Sequence, residues 1–386
     1  MIKIITKLFA ILFIVSIQAQ QKPVSTAITE MVGKEYKMTS SILKEERTLL
    51  IHTPASYASS SKNYGVLYVL DGDNHFNQAI NATTLLAQNG RMPETIIVAI
   101  PNNRGTRGRD LGRGRDNFKK YIKEEVIPFV NSNYRTSKHK TLFGHSMAGA
   151  FTLNYLATDT NVFDNYIAAS PVIQIFNSEL LTQYSTLFKT QKNISKPLYF
   201  SIAGVEAEGQ VVTDAMDKFV ALLKKEAPKN FPWEYDFIPN QVHMTTPYLT
   251  MFKGLTDVFQ DFQSPTYTSF AEYTSRGGMQ QLKAFYTKRA QKYNTENVIA
   301  DNTLRRLATV LIRDKQEKSG IELLVLNTKN NPTSMGAFNT LARAYEGLKQ
   351  FKNAAKAFEG ALQIAEKLGS PNSAYFKRQL KRLEEN

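Results

Sequence analysis

Ser146, His243 and the carboxylates of Glu206, Glu208 and Asp214 are the residues whose types and order suit nucleophilic catalysis. A serine hydroxyl is a poor nucleophile near neutral pH. It needs a base to take its proton and an acid to orient that base. Ser146 lies in Gly144-His145-Ser146-Met147-Ala148-Gly149, a G-x-S-x-G pattern. Thr141–Phe143 before it reads as a strand, and Ala148–Ala157 after it reads as a helix. Strand, sharp turn and helix in that order lift a serine hydroxyl clear of a sheet. Gly144 and Gly149 allow the strand and helix to approach where a Cβ would obstruct them.

Of the five histidines, only His243 follows Ser146. It lies just past the run Trp233–Ile238, so it is the candidate base. His145 adjoins the nucleophile and suits a supporting role, while His52 and His139 read as exposed. The acid is expected after the strand Pro197–Ala203, where Glu206 is nearer the strand end than Glu208; Glu206 is therefore the candidate, and Asp214 is more remote. An ester carbonyl under attack becomes an oxyanion and needs two preorganised donors. The main-chain N–H of Met147 is one. The other is that of Asp73, in the loop Asp71-Gly72-Asp73-Asn74-His75 after the strand Val66–Leu70. For substrate contact the candidates are His75, Arg104, Arg107 and Arg109. The three arginines belong to a loop, 104–115, that also holds Arg113 and Arg115 and four glycines. Arginine forks suit carboxylate, phosphate or catecholate oxygens.

These loops need a scaffold that brings them to one edge. Short β-rich runs at Val66–Leu70, Thr95–Ile100, Thr141–Phe143, Tyr166–Ala169, Pro197–Ala203 and Trp233–Ile238 alternate with helical stretches such as Asn117–Val130 and Thr213–Glu226. That alternation predicts a mostly parallel sheet covered on both faces, preceded by a hairpin of Tyr36–Leu43 and Thr48–Thr53. In such sheets chemistry sits on loops at the carboxyl ends of the strands, where every candidate above falls.

After about residue 265 the pattern becomes helical. Leu307, Ala308, Leu311, Gly320 and Leu324 recur 34 residues later as Leu341, Ala342, Tyr345, Ala354 and Phe358. A 34-residue period with small residues at fixed places resembles tetratricopeptide repeats, in which two antiparallel helices pack closely. The expected organisation is a signal peptide over 1–19, an α/β domain over 20–265 and an all-α, repeat-like domain over 266–386.

Taken together, Val69-Leu70-Asp71-Gly72-Asp73, Arg109-Asp110, Tyr121–Arg135, Phe143–Ala150, Ala168-Ala169-Ser170-Pro171 and His243 resemble the putative-esterase family of α/β-hydrolases. The resemblance implies a serine carboxylesterase that uses the Ser146, His243 and Glu206 side chains and the Asp73 and Met147 oxyanion donors. Leu70-Asp71-Gly72-Asp73 and Tyr134-Arg135-Thr136 resemble the branch that includes enterobactin and salmochelin esterases. The expected substrate is an anionic or polymer-linked ester such as a siderophore trilactone. The basic loop and the helical tail depart from that pattern. Acyl transfer, or a binding protein whose hydrolase domain is vestigial, are the alternatives.

The 386 residues carry 48 basic and 34 acidic side chains, a formal charge of +14 that favours anionic partners. Cysteine is absent, which excludes disulfides, thiolate metal sites and a cysteine nucleophile. Neither metal nor cofactor is implied, and the basic residues lack the interleaved aromatics of a nucleic-acid surface. Lys3 and Lys7 precede the apolar run Leu8–Ile17, too short to span a bilayer, which reads as a signal peptide cleaved after Ala19. The expectation is an exported, periplasmic or secreted enzyme, with the helical tail available to a protein partner.

Overall fold

The alternating apolar runs form one eight-stranded sheet in the computed structural model, which describes residues 32–176 and 179–385. The expected signal peptide lies outside the described residues. The strands are β1 (Lys34–Ser40), β2 (Glu45–His52), β3 (Tyr64–Leu70), β4 (Thr95–Ile100), β5 (Thr136–His145), β6 (Asn165–Ala169), β7 (Leu198–Ile202) and β8 (Trp233–Phe237). Their order is β1-β2-β4-β3-β5-β6-β7-β8. The first two strands pair antiparallel, and β2 pairs antiparallel with β4; all later neighbours are parallel. The opening hairpin turns at residues 41–44, three residues earlier than expected. Lys44 takes the left-handed conformation that closes it.

Every residue of β3, β4, β6 and β7 is buried, as both faces of a parallel sheet must be. Side chains alternate between two cores because successive residues of a strand point to opposite faces. Val66, Tyr68, Leu70, Val98 and Phe200 enter the core beneath α2 (Arg115–Lys120), α3 (Ile127–Asn133), α4 (Met147–Thr158), α5 (Glu179–Thr190) and α7 (Gln210–Glu226). Leu67, Val69, Ala99, Ile167 and Tyr199 enter the opposite core, beneath α1 (Gly72–Gln88) and α8 (Thr246–Val258). The α1 helix continues directly from the 71–75 segment, which had read only as a loop.

Beyond residue 265 the described chain is helical. Helices α9 (Phe270–Ser275) and α10 (Gly278–Tyr293) lead into the pairs α11 (Asp301–Arg313) with α12 (Glu317–Asn330) and α13 (Met335–Gly347) with α14 (Phe351–Lys367); α15 (Ser373–Glu384) follows. The residues of the 34-residue period face inward: Leu307, Ala308, Leu324, Leu341, Ala342, Ala354 and Phe358 are all buried in one cluster. A Cβ on Gly320 would stand 3.0 Å from the Ala308 carbonyl oxygen, so this glycine lets α11 and α12 close up. The tail also reaches the sheet domain. Tyr293, the last residue of α10, packs on Phe259, Phe262 and His139. His139 is therefore buried, contrary to the exposed position expected of it, and burial pushes its pKa down to about 4. Among the described residues no helix is long and apolar enough to cross a membrane.

Candidate active site

Ser146 follows β5 directly, with φ 60° and ψ −120°, a conformation that L-residues seldom adopt and that holds a tight elbow. The elbow needs its glycines. A Cβ on Gly144 would lie 2.2 Å from the Ala148 carbonyl oxygen, and one on Gly149 would lie 3.0 Å from that of Ala169. The Ser146 N–H donates to the Ala169 carbonyl at 2.9 Å, and its own carbonyl accepts from Ala150 and Val172. Met147 opens α4, so its N–H has no partner in the helix and belongs to the positive end of the helix dipole.

Asp71 and Asp73 open α1 at the same sheet edge, because β3 and β5 are parallel neighbours with Val69 opposite Phe143. Asp71 adopts the left-handed conformation, φ 51° and ψ 47°, and caps the helix start. Its buried carboxylate is held by the Arg107 fork, Nε at 2.7 Å and Nη2 at 2.8 Å, and by the Asn102 amide. A Cβ on Gly72 would collide with β4, 2.6 Å from the Ile100 nitrogen, so only glycine lets this loop lie so close. Asp73 has an exposed side chain, and its N–H lies in the unpaired first turn of α1. Two helix starts thus face one sheet edge with free donors.

The base and the acid meet. His243 Nδ1 donates to Glu208 Oε2 at 2.5 Å. The other oxygen of Glu208 accepts from the Ser170 hydroxyl at 2.5 Å and the Ala203 N–H at 3.2 Å. The Glu208 side chain is buried. Burial alone would raise its pKa, but the hydrogen bonds from His243, Ser170 and Ala203 outweigh it and hold the carboxyl below its usual range. Glu206, the expected acid, is exposed and, among the described residues, makes no such bond. The reason is local: Val205–Glu208 forms a single helical turn, α6, in which positions two apart face different sides. Because Nδ1 carries the proton, neutral His243 keeps an acceptor lone pair at Nε2.

His145 is buried and bonds through Nε2 to the His243 carbonyl oxygen at 2.9 Å. His75, expected at the substrate, is buried beneath the site instead. Its ring meets those of Phe143 and His145 edge-on, and Nδ1 pairs with Gln78 at 3.1 Å. The reason is that 71–75 is the first turn of a helix packed on the sheet, so position 75 turns inward.

The 104–115 segment, expected as a loop, is helical over Arg109–Arg113 and pinned there. Asp110 accepts from Arg47 Nη1 at 2.7 Å and from Arg109 Nε at 2.7 Å, and Arg109 also pairs with Glu45. Arg47 is wholly buried, its guanidinium against the stacked rings of Phe118 and Tyr121. No sequence signal marked it: it is one arginine on an outer strand. Arg107 is held by Asp71 and Arg115 by Glu179. Arg104 and Arg113 are exposed and, among the described residues, form no ion pair.

The chain is similar to known proteins over its α/β domain. Residues 40–222 match the model of the family described as putative esterase. The ferri-bacillibactin esterase of Bacillus subtilis is 28% identical over 210 aligned residues, covering 46% of this chain and 71% of that one. An IroE-like serine hydrolase from Shewanella oneidensis superposes with a TM-score of 0.62 at 23% identity, over 77% of this chain and 99% of that chain. An uncharacterised protein from Capnocytophaga ochracea superposes with a TM-score of 0.63 at 15% identity, over 92% of this chain. The fold of that last protein therefore includes a counterpart to much of the helical tail. The α/β-hydrolase fold expected from the sequence is the fold observed.

Proposed function

We propose that this chain, an esterase whose residues 40–222 match the putative-esterase model, hydrolyses carboxylic esters through Ser146, His243 and Glu208. The observation that carries this reading is the 2.5 Å bond between His243 Nδ1 and a buried Glu208, on the sheet edge where Ser146 forms its strained elbow.

In the first half-reaction Ser146 Oγ attacks the ester carbonyl carbon while His243 Nε2 takes the hydroxyl proton. The carbonyl oxygen becomes an oxyanion and accepts from the N–H groups of Met147 and Asp73. The tetrahedral adduct collapses as His243 returns the proton to the departing alkoxide oxygen. An acyl-serine remains. In the second half His243 deprotonates water, the hydroxide attacks the acyl carbon, and Ser146 leaves with the proton from His243. One water is consumed, and one acid and one alcohol are released. Glu208 stays ionised throughout and stabilises the imidazolium.

The substrate we propose is an amphiphilic, anionic ester of the siderophore kind, since the Bacillus subtilis relative bears the name of a ferri-bacillibactin esterase. Two flanks of the site suit it. Arg104 and Arg113, without an ion pair among the described residues, offer cations beyond β4, whereas Val205, Phe237, Val242, Met244 and Tyr248 leave apolar side chains exposed around Glu208 and His243. The Phe237 ring lies 3.8 Å from where a Gly204 Cβ would stand, which sets it at the turn into α6. Aryl groups suit the second flank and catecholate or carboxylate oxygens the first. The proposal keeps the export expected from residues 1–19 and a division near residue 265, with the tail serving a partner or a large substrate.

A fluorophosphonate that labels serine hydrolases tests the assignment. It is expected to add one phosphonyl group, mapped to Ser146, and to add none to Ser146→Ala. Labelling elsewhere would overturn the reading.

A further inference from the structure

We infer that His145 is a positioning residue: its Nε2–H holds the main chain of the base loop at the nucleophile's strand. The inference rests on the triad reading above and goes beyond it to a residue outside the triad.

Besides the His243–Glu208 bond, the base loop has little else to hold it. Val242, Met244 and Thr245 are exposed on either side of His243, and the loop follows the end of β8, the edge strand of the sheet. Its internal bonds are those of Val242 with Thr245 and Thr246, and of the Gln241 amide with the Asn240 carbonyl. The His243 carbonyl has two neighbours, His145 Nε2 at 2.9 Å and the Thr246 hydroxyl at 2.9 Å. These two are not equivalent. The Thr246 oxygen also lies 2.7 Å from Ser170 Oγ, whose single proton goes to Glu208. Thr246 has one proton for two acceptors, while His145 Nε2 points at a carbonyl alone. A carbonyl oxygen can only accept, so the contact fixes the His145 tautomer as Nε2–H with Nδ1 bare.

Position makes that bond consequential. His145 immediately precedes Ser146, so the anchor spans a single residue to the nucleophile on one side and meets the base on the other. The rings of His145 and His243 are 4.7 Å apart. On its far side His145 meets the His75 ring, 5.5 Å away, and its own carbonyl lies 3.5 Å from Arg107 Nη2, the arginine that clamps Asp71. One buried imidazole therefore touches the base loop, the nucleophile strand and the helix whose start supplies an oxyanion donor. The charged and titratable groups that face it are His243, His75 and Arg107, and burial keeps it neutral. A misplacement of about 1 Å at a base can cost roughly 100-fold in rate, so a loosened loop should act on turnover and spare binding.

Two variants and one measurement on the unaltered protein test this. His145→Phe keeps a flat ring and removes the donor; kcat on a small activated ester is expected to fall roughly 10- to 100-fold with KM within about threefold. His145→Gln restores an N–H of similar reach and is expected to regain most of that loss. In the unaltered protein, nitrogen-15 spectra of the His145 ring are expected to show Nε2 protonated and Nδ1 bare across pH 5–8. Turnover by His145→Phe at wild-type level, equal losses in both variants, or the opposite tautomer would each overturn the inference. If Ser146→Ala kept its activity, the triad reading would fall instead, and the tautomer would still report on the anchor.

Discussion

The carboxylate of Glu208 and the imidazole of His243 share a 2.5 Å hydrogen bond, with Ser170 and the Ala203 N–H on the far oxygen. An acid bonded on both oxygens is fixed in direction, and it fixes the tautomer of the histidine it faces.

Glu208→Gln should therefore lower kcat by roughly 10²- to 10⁴-fold, because an amide no longer favours Nδ1–H or stabilises the imidazolium. Glu206→Gln should leave kcat within about twofold, as expected of an exposed side chain without a partner. Steady-state kinetics on one small ester compare the two. A larger loss in Glu206→Gln would contradict the assignment.

Arg107 and the pair Arg104 and Arg113 should separate by substrate. Arg107→Gln leaves the buried Asp71 carboxylate without its fork, so turnover should fall on neutral and anionic esters alike. Replacing Arg104 and Arg113 with Gln should raise KM for an anionic ester only, by several-fold at about 1 kcal/mol per solvated contact. Raising salt should shrink that difference. Equal KM changes on both esters would leave the two arginines as solvated surface.

Acid should destabilise the fold through two buried imidazoles. Burial pushes His139 down to about 4 and His145 down to about 3, against 6.5 for the free side chain. Between those folded values and 6.5 the unfolded chain binds more protons, so stability rises with pH across that window and is complete above it. Falling pH removes it again, at up to about 1.36 kcal/mol per pH unit for each imidazole. Urea unfolding between pH 4.5 and 7.5 should show this slope, and His139→Phe should flatten it. An unchanged slope would mean that His139 titrates as a free side chain.

A chain that ends at Gln263 keeps Ser146, Glu208 and His243 but loses Tyr293 from its place against His139, Phe259 and Phe262. Removal of a buried aromatic ring costs about 3–5 kcal/mol. Such a chain should hydrolyse a small ester at an undiminished rate per folded molecule, with Tm lower by about 5–10 °C. Tyr293→Ala in the full chain should show most of the same drop. Lost turnover on the smallest ester would place part of the site in the tail.

Much of this was legible in the sequence because it is local. Thr95–Ile100 forms a strand over the very residues whose apolar, β-branched run marks it, and the glycines at 144 and 149 announce the elbow. The choice between Glu206 and Glu208 was not legible, since it depends on how one helical turn faces. Arg47 and Thr246 were silent for a different reason: they meet Asp110 and Ser170 across 63 and 76 positions of chain, and no spacing rule reaches that far; Ser170 stood in a family motif, but its bond to Glu208, 38 positions away, did not. His139 misled because a polar residue near a strand start reads as solvated, and its cover, Tyr293, comes from the tail.

The most direct test of the account is the turnover of Ser146→Ala on a small activated ester. Ser146 packs no core, and its strained backbone is held by Gly144, Gly149 and main-chain bonds, so the variant should fold as the unaltered chain does. Its kcat is expected to fall by about 10⁴-fold or more. Retention of more than about a tenth of the unaltered turnover, on protein with an unchanged melting profile, would contradict a serine mechanism at this site.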